Sequence, residues 1–274
     1  MFSVTGLFKY VAAVLASLLF DLAQGIKKPD NAHYSNETLV KFIRRAQDEV
    51  EFWHKEIDAG RVPNMIISRG NKKIGNVPNF SVMPIITCLN CKECKYFCYD
   101  IKACLQYKNV MRARAINTAL LLYAPAALHE QLEKYFSNTR RRNKSFRFNV
   151  GGEITPAYFN MIMSIVKRHA DYTIWMYTKM YGIVNSYIRK RTSLTGRAAR
   201  LAVIPSNYHI MYSLWDGTPV YNPYDFPLFA VRMKHGNKTP LEWNTLHKCP
   251  GNCQVCLKTG RGCPSSETSF VDEH

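Results

Sequence analysis

Nine cysteines lie in two short blocks of the 274-residue chain, and their spacing is typical of metal ligands. Gaps of two or three residues allow one loop to bring several sulfurs to a single centre. A disulfide framework, in contrast, usually spreads its cysteines along the chain. The alternative to metal binding is a group of buried thiols or disulfides. The first block is Cys88, Cys91, Cys94, Cys98 and Cys104, and the second is Cys249, Cys253, Cys256 and Cys263.

Sulfur ligands suit either zinc or an iron–sulfur cluster. Zinc prefers two separated Cys-x2-Cys pairs in one compact ribbon, whereas each block here holds enough sulfurs for its own centre. This favours one or two [4Fe-4S] clusters, with zinc as the alternative. Because each cluster takes about four thiolates, Cys104 or Cys88 is left over. The metal ligands that we predict are Cys88, Cys91, Cys94, Cys98, Cys249, Cys253, Cys256 and Cys263.

Hydrophobic periodicity indicates the helices and strands that position the cysteines. Apolar residues at helical spacing predict an amphipathic helix over residues 36–58, capped by Ser35 or Asn36. Further helices are predicted over 105–136, bent at Pro125, from Pro156 onward, and over 181–191. Strands are predicted at 65–68, 80–87, 146–150, 173–178, 209–214 and 228–232.

The alternation of strands and helices between residues 80 and 232 predicts an α/β fold with a parallel sheet, open or closed. Ligands of such sheets collect at the carboxyl ends of the strands. The first cysteine block follows one predicted strand, and Gly151, Gly152 and Glu153 follow the next. The two glycines would let the backbone approach a bulky ligand, and Glu153 would receive an ammonium group. A strand-to-helix turn with a surface carboxylate is the alternative.

Composition divides the chain into three segments. Residues 1–60 form an N-terminal helical extension, and residues 61–245 form the α/β domain that contains the first cysteine block. Residues 246–274 form a cysteine-rich, metal-binding tail. Pro250 and Gly251 in this tail suit a knuckle whose backbone wraps around an ion.

The chain is strongly basic, with 37 Lys and Arg against 20 Asp and Glu and a net charge of +17. Such a surface favours anionic partners, such as nucleic acid or another phosphate-bearing substrate. Basic runs at 140–144 and 189–191 would contact phosphates, or else form a solvated surface. The sequence contains neither a Gly-x-Ser-x-Gly elbow nor a Walker loop, which excludes serine hydrolases with that elbow and P-loop ATPases.

The order of a strand, a cysteine loop, a helix and a strand ending in Gly-Gly-Glu resembles the radical S-adenosylmethionine (SAM) superfamily. The resemblance implies a partial (β/α) barrel and a [4Fe-4S] cluster with one open iron that binds SAM. Gly151, Gly152 and Glu153 match the turn that contacts the SAM amino group in that superfamily. The implied reaction needs a reductant protein, whose electron cleaves SAM to a radical that abstracts a substrate hydrogen.

The first block departs from the usual Cys-x3-Cys-x2-Cys motif of that superfamily. Cys94 and Cys98 have the first spacing, but Ile101 stands where the third cysteine is expected. The second block has the full spacing, from Cys249 to Cys256, and we interpret it as an auxiliary cluster site. Either the chain is a divergent radical SAM relative, or the barrel binds metal for another purpose.

Several further short motifs occur together: Lys73 and Gly75, Phe80 and Ser81, Cys94-x3-Cys98-Tyr99, the run from Phe146 to Glu153, Tyr177-Thr178-Lys179, and the cysteine-rich tail. Over roughly residues 65–263, this combination resembles the phage family called gene product 88 more closely. The resemblance implies a viral origin and does not imply a particular reaction.

An apolar stretch over residues 10–20 follows Lys9, a pattern that suits either a secretory signal or a packing helix. The signal is disfavoured because an oxygen-labile cluster would not suit an oxidising compartment. No apolar run reaches the roughly 18 residues that span a bilayer. We therefore expect a cytoplasmic protein without a transmembrane segment, in the host cytoplasm if it is phage-encoded.

Two functions stay open at this point. The first is an iron–sulfur protein, a divergent radical-SAM-like enzyme of phage type with an unknown substrate. The second is a non-enzymatic zinc protein that binds nucleic acid through its basic surface. Both functions use the cysteine blocks, and they differ in the metal that the blocks hold.

Overall fold

The computed structural model describes residues 12–13, 15–20, 24, 32–70, 75, 77–88, 93–215, 219–233, 241–250 and 268–272. The chain divides into two compact units, each built from separate stretches of sequence. Unit 1 comprises residues 1–66, 81–135 and 151–158. Unit 2 comprises residues 67–80, 136–150 and 159–274.

Among the described residues, seven strands form one sheet in which every neighbouring pair is parallel, so the predicted α/β class is confirmed. The strands are β1 (Asn79–Phe80), β2 (Ser145–Phe148), β3 (Thr173–Thr178), β4 (Tyr208–Leu214), β5 (Leu228–Arg232), β6 (His247–Lys248) and β7 (Thr268–Asp272). The helices are α1 (Asn36–Asp58), α2 (Tyr99–Gln106), α3 (Lys108–Tyr123), α4 (Pro125–Phe136), α5 (Pro156–Arg168), α6 (Tyr181–Arg189) and α7 (Gly196–Val203), with short 3-10 helices at Glu93–Phe97 and Trp243–Thr245.

The strand order is β1-β2-β3-β4-β5-β7-β6, so the first five strands follow one another across the sheet in chain order. Because crossovers between parallel strands are right-handed, a sequential order places successive crossover helices on the same face. A doubly wound sheet would instead reverse its direction partway along the chain. The order is therefore that of a singly wound sheet, and it is compatible with an open one.

One face of the sheet carries the apolar core of unit 2. Phe146 and Phe148 of β2 pair in register with Ile174 and Met176 of β3, and all four side chains are buried. Phe136 at the end of α4 packs on the same group, with its ring centroid 4.8 Å from that of Phe146. Aromatic and β-branched side chains favour strands because they pack well on a pleated surface.

In unit 1 the long helix α1 packs against α3. Ser35 caps α1 as predicted, because its Oγ accepts a hydrogen bond from the Thr38 N–H at 3.1 Å. Near the other end, the His54 ring stacks on the Tyr123 ring with centroids 3.6 Å apart. The predicted apolar stripe is buried at Leu39, Phe42, Ile43, Ala46 and Val50.

The predicted strand over 80–87 is wrong beyond Phe80. Strand β1 ends at that residue, and residues 84–87 form a turn. Pro84 has no N–H to donate to a neighbouring strand, and Ile85 adopts a left-handed φ of 65°. Both properties prevent extended pairing, although the apolar, β-branched composition of the run is typical of a strand.

Two other predicted elements are divided or reduced. The helical stretch expected over 105–136 is broken beside Pro125 as predicted, since α3 ends at Tyr123 and α4 begins at Pro125. Its predicted start is wrong, because α2 ends at Gln106 and α3 begins at Lys108. The predicted strand at 65–68 is reduced to an isolated bridge at Ser68.

The described part of the C-terminal tail belongs to the sheet, which the sequence did not predict. Strand β7 lies between β5 and β6 and pairs with both. Asp272 of β7 accepts a hydrogen bond from Arg232 Nε at 2.7 Å and lies 2.5 Å from Lys248 Nζ. The hydrogen bonds from Lys248 and Arg232 lower the pKa of the Asp272 carboxyl group, and the charges of the two side chains add to this effect.

The apolar stretch predicted at 10–20 lies only partly within the described residues, of which 15–20 are helical. Across the ranges that the structure describes, no helix combines the length and the apolar character that crossing a membrane requires.

Candidate functional site

The loop over residues 81–88, which follows β1 in the chain, is fixed by buried hydrogen bonds within unit 1. The Met83 N–H donates to Thr118 Oγ1 of α3 at 2.7 Å, and Thr87 Oγ1 donates to the Met83 carbonyl at 2.9 Å. Ile85 holds its left-handed backbone here. Strain of this kind costs about 1–3 kcal/mol and persists only where the surroundings fix the backbone. The loop therefore follows a defined path up to Cys88.

Four cysteines of the first block are described, and they lie on successive short elements of unit 1. Cys88 ends the loop, and Cys94 lies in the 3-10 helix that precedes α2. Cys98 is the N-cap residue of α2, and Cys104 is buried within that helix. No disulfide joins the described cysteines. The four described cysteines of the first block therefore lie on one short stretch of unit 1, with no disulfide among them.

The thiols of Cys88 and Cys94 lie close enough to Cys98 to act on it electrostatically. Cys98 is half-buried as a residue, but burial of its thiol raises the pKa well above the ordinary value. The negative charges of Asp100, Cys94 and Cys88 raise it further. Among the described residues, no three Cys, His, Asp or Glu side chains form a ready metal site. Cys91, the remaining predicted ligand of this block, lies outside those residues.

Cys104 has a different environment from the other three thiols. It is fully buried on α2, and burial raises its thiol pKa to about 12. The charge of Asp100 raises the pKa as well, whereas Arg114 and Arg45 lower it. A buried cysteine of this kind packs as a small apolar side chain.

Residues 33–36, at the start of α1 and just before it, form hydrogen bonds with the first cysteine block. Tyr34 Oη donates to the Cys98 carbonyl at 3.0 Å, and Tyr96 Oη donates to Asn36 Oδ1 at 2.8 Å. The His33 N–H donates to the Tyr96 carbonyl at 2.9 Å. Burial raises the pKa of Tyr34 to about 12, and the nearby Cys98 thiol contributes to the shift. The helical extension thus supports the cysteine block directly.

The Gly-Gly-Glu turn packs on the loop over residues 81–88. The Val82 N–H donates to the Gly151 carbonyl at 3.1 Å, and the Glu153 N–H donates to Thr87 Oγ1 at 3.1 Å. Gly152 has a φ of +74°, and a β-carbon there would lie 2.5 Å from Val82 Cγ2 and 2.7 Å from Thr87 Oγ1. The turn needs glycine for its backbone conformation and for this close approach. Glu153 itself is 7% exposed.

A buried ion pair joins the cysteine block to the same turn. Arg114 of α3 donates to Asp100 of α2 through Nε at 3.1 Å and through Nη2 at 2.9 Å. Asp100 is 2% exposed and Arg114 is 5% exposed. A β-carbon at Gly151 would coincide with the Asp100 carboxylate. The absence of a side chain at Gly151 therefore makes room for the ion pair.

This pair also stabilises the charged form of Arg114. Burial alone would lower the pKa of the Arg114 guanidinium, but the charge and hydrogen bonds of Asp100 outweigh it and raise the pKa. The guanidinium thus stays protonated and neutralises the carboxylate two residues after Cys98.

The structure brings the first cysteine block together with the Gly-Gly-Glu turn. Most of the second cysteine block lies outside the described residues. Cys88, Cys94 and Cys98 share unit 1 with Gly151, Gly152 and Glu153. Cys249 lies in unit 2 directly after β6, where its N–H donates to the Phe270 carbonyl at 2.7 Å. The predicted ligands outside the described residues are Cys91, Cys253, Cys256 and Cys263.

Sequence reasoning missed the polar residues that support this site. Asp100 and Arg114 lie on different helices, so no local periodicity links them. Thr87 was assigned to a strand, where its hydroxyl would have had no special role. The one available signal was an acidic residue in the first turn of a helix that begins at a cysteine, which suggests a dipole contact and does not reveal a buried pair.

Comparison with known proteins identifies the family. No curated protein and no solved structure matches the chain. The family model described as gene product 88 matches residues 64–219, which is more than half of the sequence. The match covers the loop after β1, the first cysteine block and the Gly-Gly-Glu turn. The chain therefore belongs to the gene product 88 family.

Proposed function

We propose that the chain is an iron–sulfur protein of radical-SAM type, with a [4Fe-4S] cluster held by the first cysteine block. The proposed ligands are Cys88, Cys91, Cys94 and Cys98. Three of these thiols lie on one short stretch of unit 1, where Cys88 and Cys94 each act electrostatically on Cys98. Thiolates arriving from closely spaced positions are the ligands that such clusters take.

The observation that carries the proposal is the direct packing of this stretch against the Gly-Gly-Glu turn. Thr87, next to Cys88, accepts a hydrogen bond from the Glu153 N–H, and Asp100, close to Cys98, fills the space beside Gly151. The turn thus lies beside the proposed ligands, as a SAM-binding turn must. The sequential strand order of the sheet is in keeping with a partial (β/α) barrel.

Each part of the turn has a distinct role in this proposal. The cluster, when bound, supplies the electron that cleaves SAM. The backbone of Gly151 and Gly152 approaches the ligand closely because no side chain intervenes. Glu153, held in a buried position, orients the ligand by accepting hydrogen bonds from its ammonium group. An external reductant protein and a cytoplasmic location belong to the same proposal.

We assign the second cysteine block to a second centre. Its proposed ligands are Cys249, Cys253, Cys256 and Cys263. The pairing of β6 with β7 fixes the backbone on both sides of this block, because Cys249 follows β6 and Thr268 begins β7. A knuckle between two anchored strands suits an auxiliary cluster.

Zinc binding combined with nucleic-acid binding is the second candidate function. The net charge of +17 and a set of exposed cations in unit 2 favour it. Structural zinc would leave the protein colourless, and chelation would unfold the loops that hold it. The exposed cations of the two basic runs are Arg140, Arg142, Arg189, Lys190 and Arg191.

Anaerobic purification followed by metal analysis separates the two functions. We expect a brown protein that contains iron and acid-labile sulfide in equal amounts, and that cleaves SAM when dithionite is added. A colourless protein with stoichiometric zinc, and with no iron after reconstitution, would contradict the proposal and support the second candidate.

Replacement of Glu153 by Gln is expected to weaken SAM binding about tenfold or more, because an ammonium–carboxylate hydrogen bond becomes a neutral one. Equilibrium binding to the reconstituted protein measures the change, while the iron content should stay constant. Glu130→Gln on the exposed side of α4 removes the same charge and should leave SAM binding unchanged. Equal affinities in the two variants would exclude Glu153 as a SAM contact.

A further inference from the structure

The sheet of unit 2 has a second face, opposite the apolar core, that carries a cation and several aromatic rings. Register places Arg147 of β2 beside Trp175 of β3, and Trp175 beside His209 of β4. Side chains alternate between the two faces along each strand, so Tyr177 and Phe229 also lie on this side. We call this surface the second face: Arg147, Trp175, Tyr177, His209 and Phe229.

Arg147 is the unusual member of the second face. Its Nε is buried and has no hydrogen-bond partner within the described protein. The guanidinium lies over the Tyr177 ring, 4.7 Å from the ring centroid. This contact involves the flat face of the guanidinium, whereas the N–H groups lie in its plane and need acceptors. A buried cationic N–H without an acceptor costs free energy, and a ligand oxygen would remove that cost.

The other four members of the second face are aromatic side chains. The Tyr177 and Phe229 rings meet edge to face, with centroids 5.0 Å apart. Trp175 is 5% exposed. Burial lowers the pKa of His209, so its imidazole is neutral near pH 7. Among these five residues, Arg147 therefore carries the full positive charge, and it lies next to aromatic rings.

We propose that the second face binds a small ligand that carries a planar ring and a phosphate, of the mononucleotide class, with Arg147 as its phosphate contact. A phosphate matches the planar fork of the guanidinium and accepts two parallel hydrogen bonds from it. The ring of the ligand packs against the Tyr177–Phe229 pair. The net charge of +17 favours approach of the phosphate. This site uses none of the cysteine ligands, so it stands whether or not a metal is bound.

Calorimetric titration of the full-length protein with AMP, ribose 5-phosphate and adenosine tests the proposal. We expect AMP to bind most tightly, because the other two probes lack the ring or the phosphate. Arg147→Gln should weaken AMP binding about tenfold or more. Arg147→Lys keeps the charge but loses the fork, so it should also weaken binding and is informative if the first variant does not fold.

Arg112→Gln is the matched control. Arg112 also lies over an aromatic ring, 5.3 Å from the Trp53 centroid, but it is exposed on α3 of unit 1. Its loss removes the same charge and should leave the AMP affinity unchanged. The proposal is overturned if AMP does not bind, if adenosine binds as tightly as AMP, or if the Arg147 and Arg112 variants weaken binding equally. Because the titration needs no cluster, its result is independent of the iron content.

Discussion

Replacement of Arg114 by Met is expected to lower the free energy of unfolding by about 3–5 kcal/mol, because it leaves the Asp100 carboxylate buried without a partner. Both members of the pair are almost fully buried, and two hydrogen bonds join them. The change should also loosen the start of α2, where Cys98 lies, and so lower the iron content after reconstitution. Urea unfolding followed by circular dichroism measures the first effect.

Arg61→Met is the control for this prediction, because Arg61 also donates two hydrogen bonds to a carboxylate, that of Glu56, but at the surface. Its Nε and Nη2 each lie 2.7 Å from a Glu56 oxygen, but both side chains are solvated. Solvent screening makes such a pair far less important to stability. Removing both buried charges in Asp100→Leu/Arg114→Met should restore much of the lost stability. Equal effects of the Arg114 and Arg61 variants would contradict a buried, energetically coupled pair.

Replacement of Gly152 by Ala is expected to destabilise the protein by about 2–5 kcal/mol, through two effects that add. An L-residue at a φ of +74° adopts a conformation that its β-carbon disfavours. That β-carbon would also press on Val82 and on the Thr87 hydroxyl, at 2.5 Å and 2.7 Å. Because Thr87 accepts the hydrogen bond from Glu153, the displacement should reach the proposed SAM contact as well.

Gly182→Ala provides the comparison. Gly182 lies in the first turn of α6, and no atom lies within 4 Å of an added β-carbon. Alanine favours helix more than glycine does, so the variant should be unchanged or stabilised by up to about 1 kcal/mol. Thermal unfolding of both variants measures the contrast. A Gly152 variant as stable as the Gly182 variant would mean that the turn does not need its left-handed, tightly packed conformation.

Local pattern was enough to predict elements whose residues repeat regularly and face one core. Helix α1 and strands β3 and β5 have the predicted bounds, because each has an apolar period that no competing signal interrupts. The same holds for the start of α5, where the Tyr158 N–H donates to Thr155 Oγ1 at 3.2 Å. The Gly-Gly-Glu motif was also recognisable, since glycine pairs at strand ends indicate close backbone approach.

The rest of the site depends on contacts between residues distant in sequence. Ile85 and its neighbours have strand-like composition, but the turn that they form is fixed by Thr118, which is 35 residues from Met83. Tyr34 contacts Cys98 from 64 residues away. The buried position of Arg114 follows from packing of two helices and not from any spacing in the sequence. No periodicity could have indicated these contacts, although each of them holds a proposed ligand in place.

Iron and acid-labile sulfide per chain, measured in paired cysteine variants after anaerobic reconstitution, test the cluster assignment most directly. Cys98→Ala removes a proposed ligand, whereas Cys104→Ala removes a buried thiol from the same helix and has the same change in volume. We predict that Cys104→Ala keeps its iron, its sulfide and its visible absorption, and that Cys98→Ala loses most of the iron of the first centre. A Cys98→Ala protein with the full iron content and colour of the wild type would contradict the account.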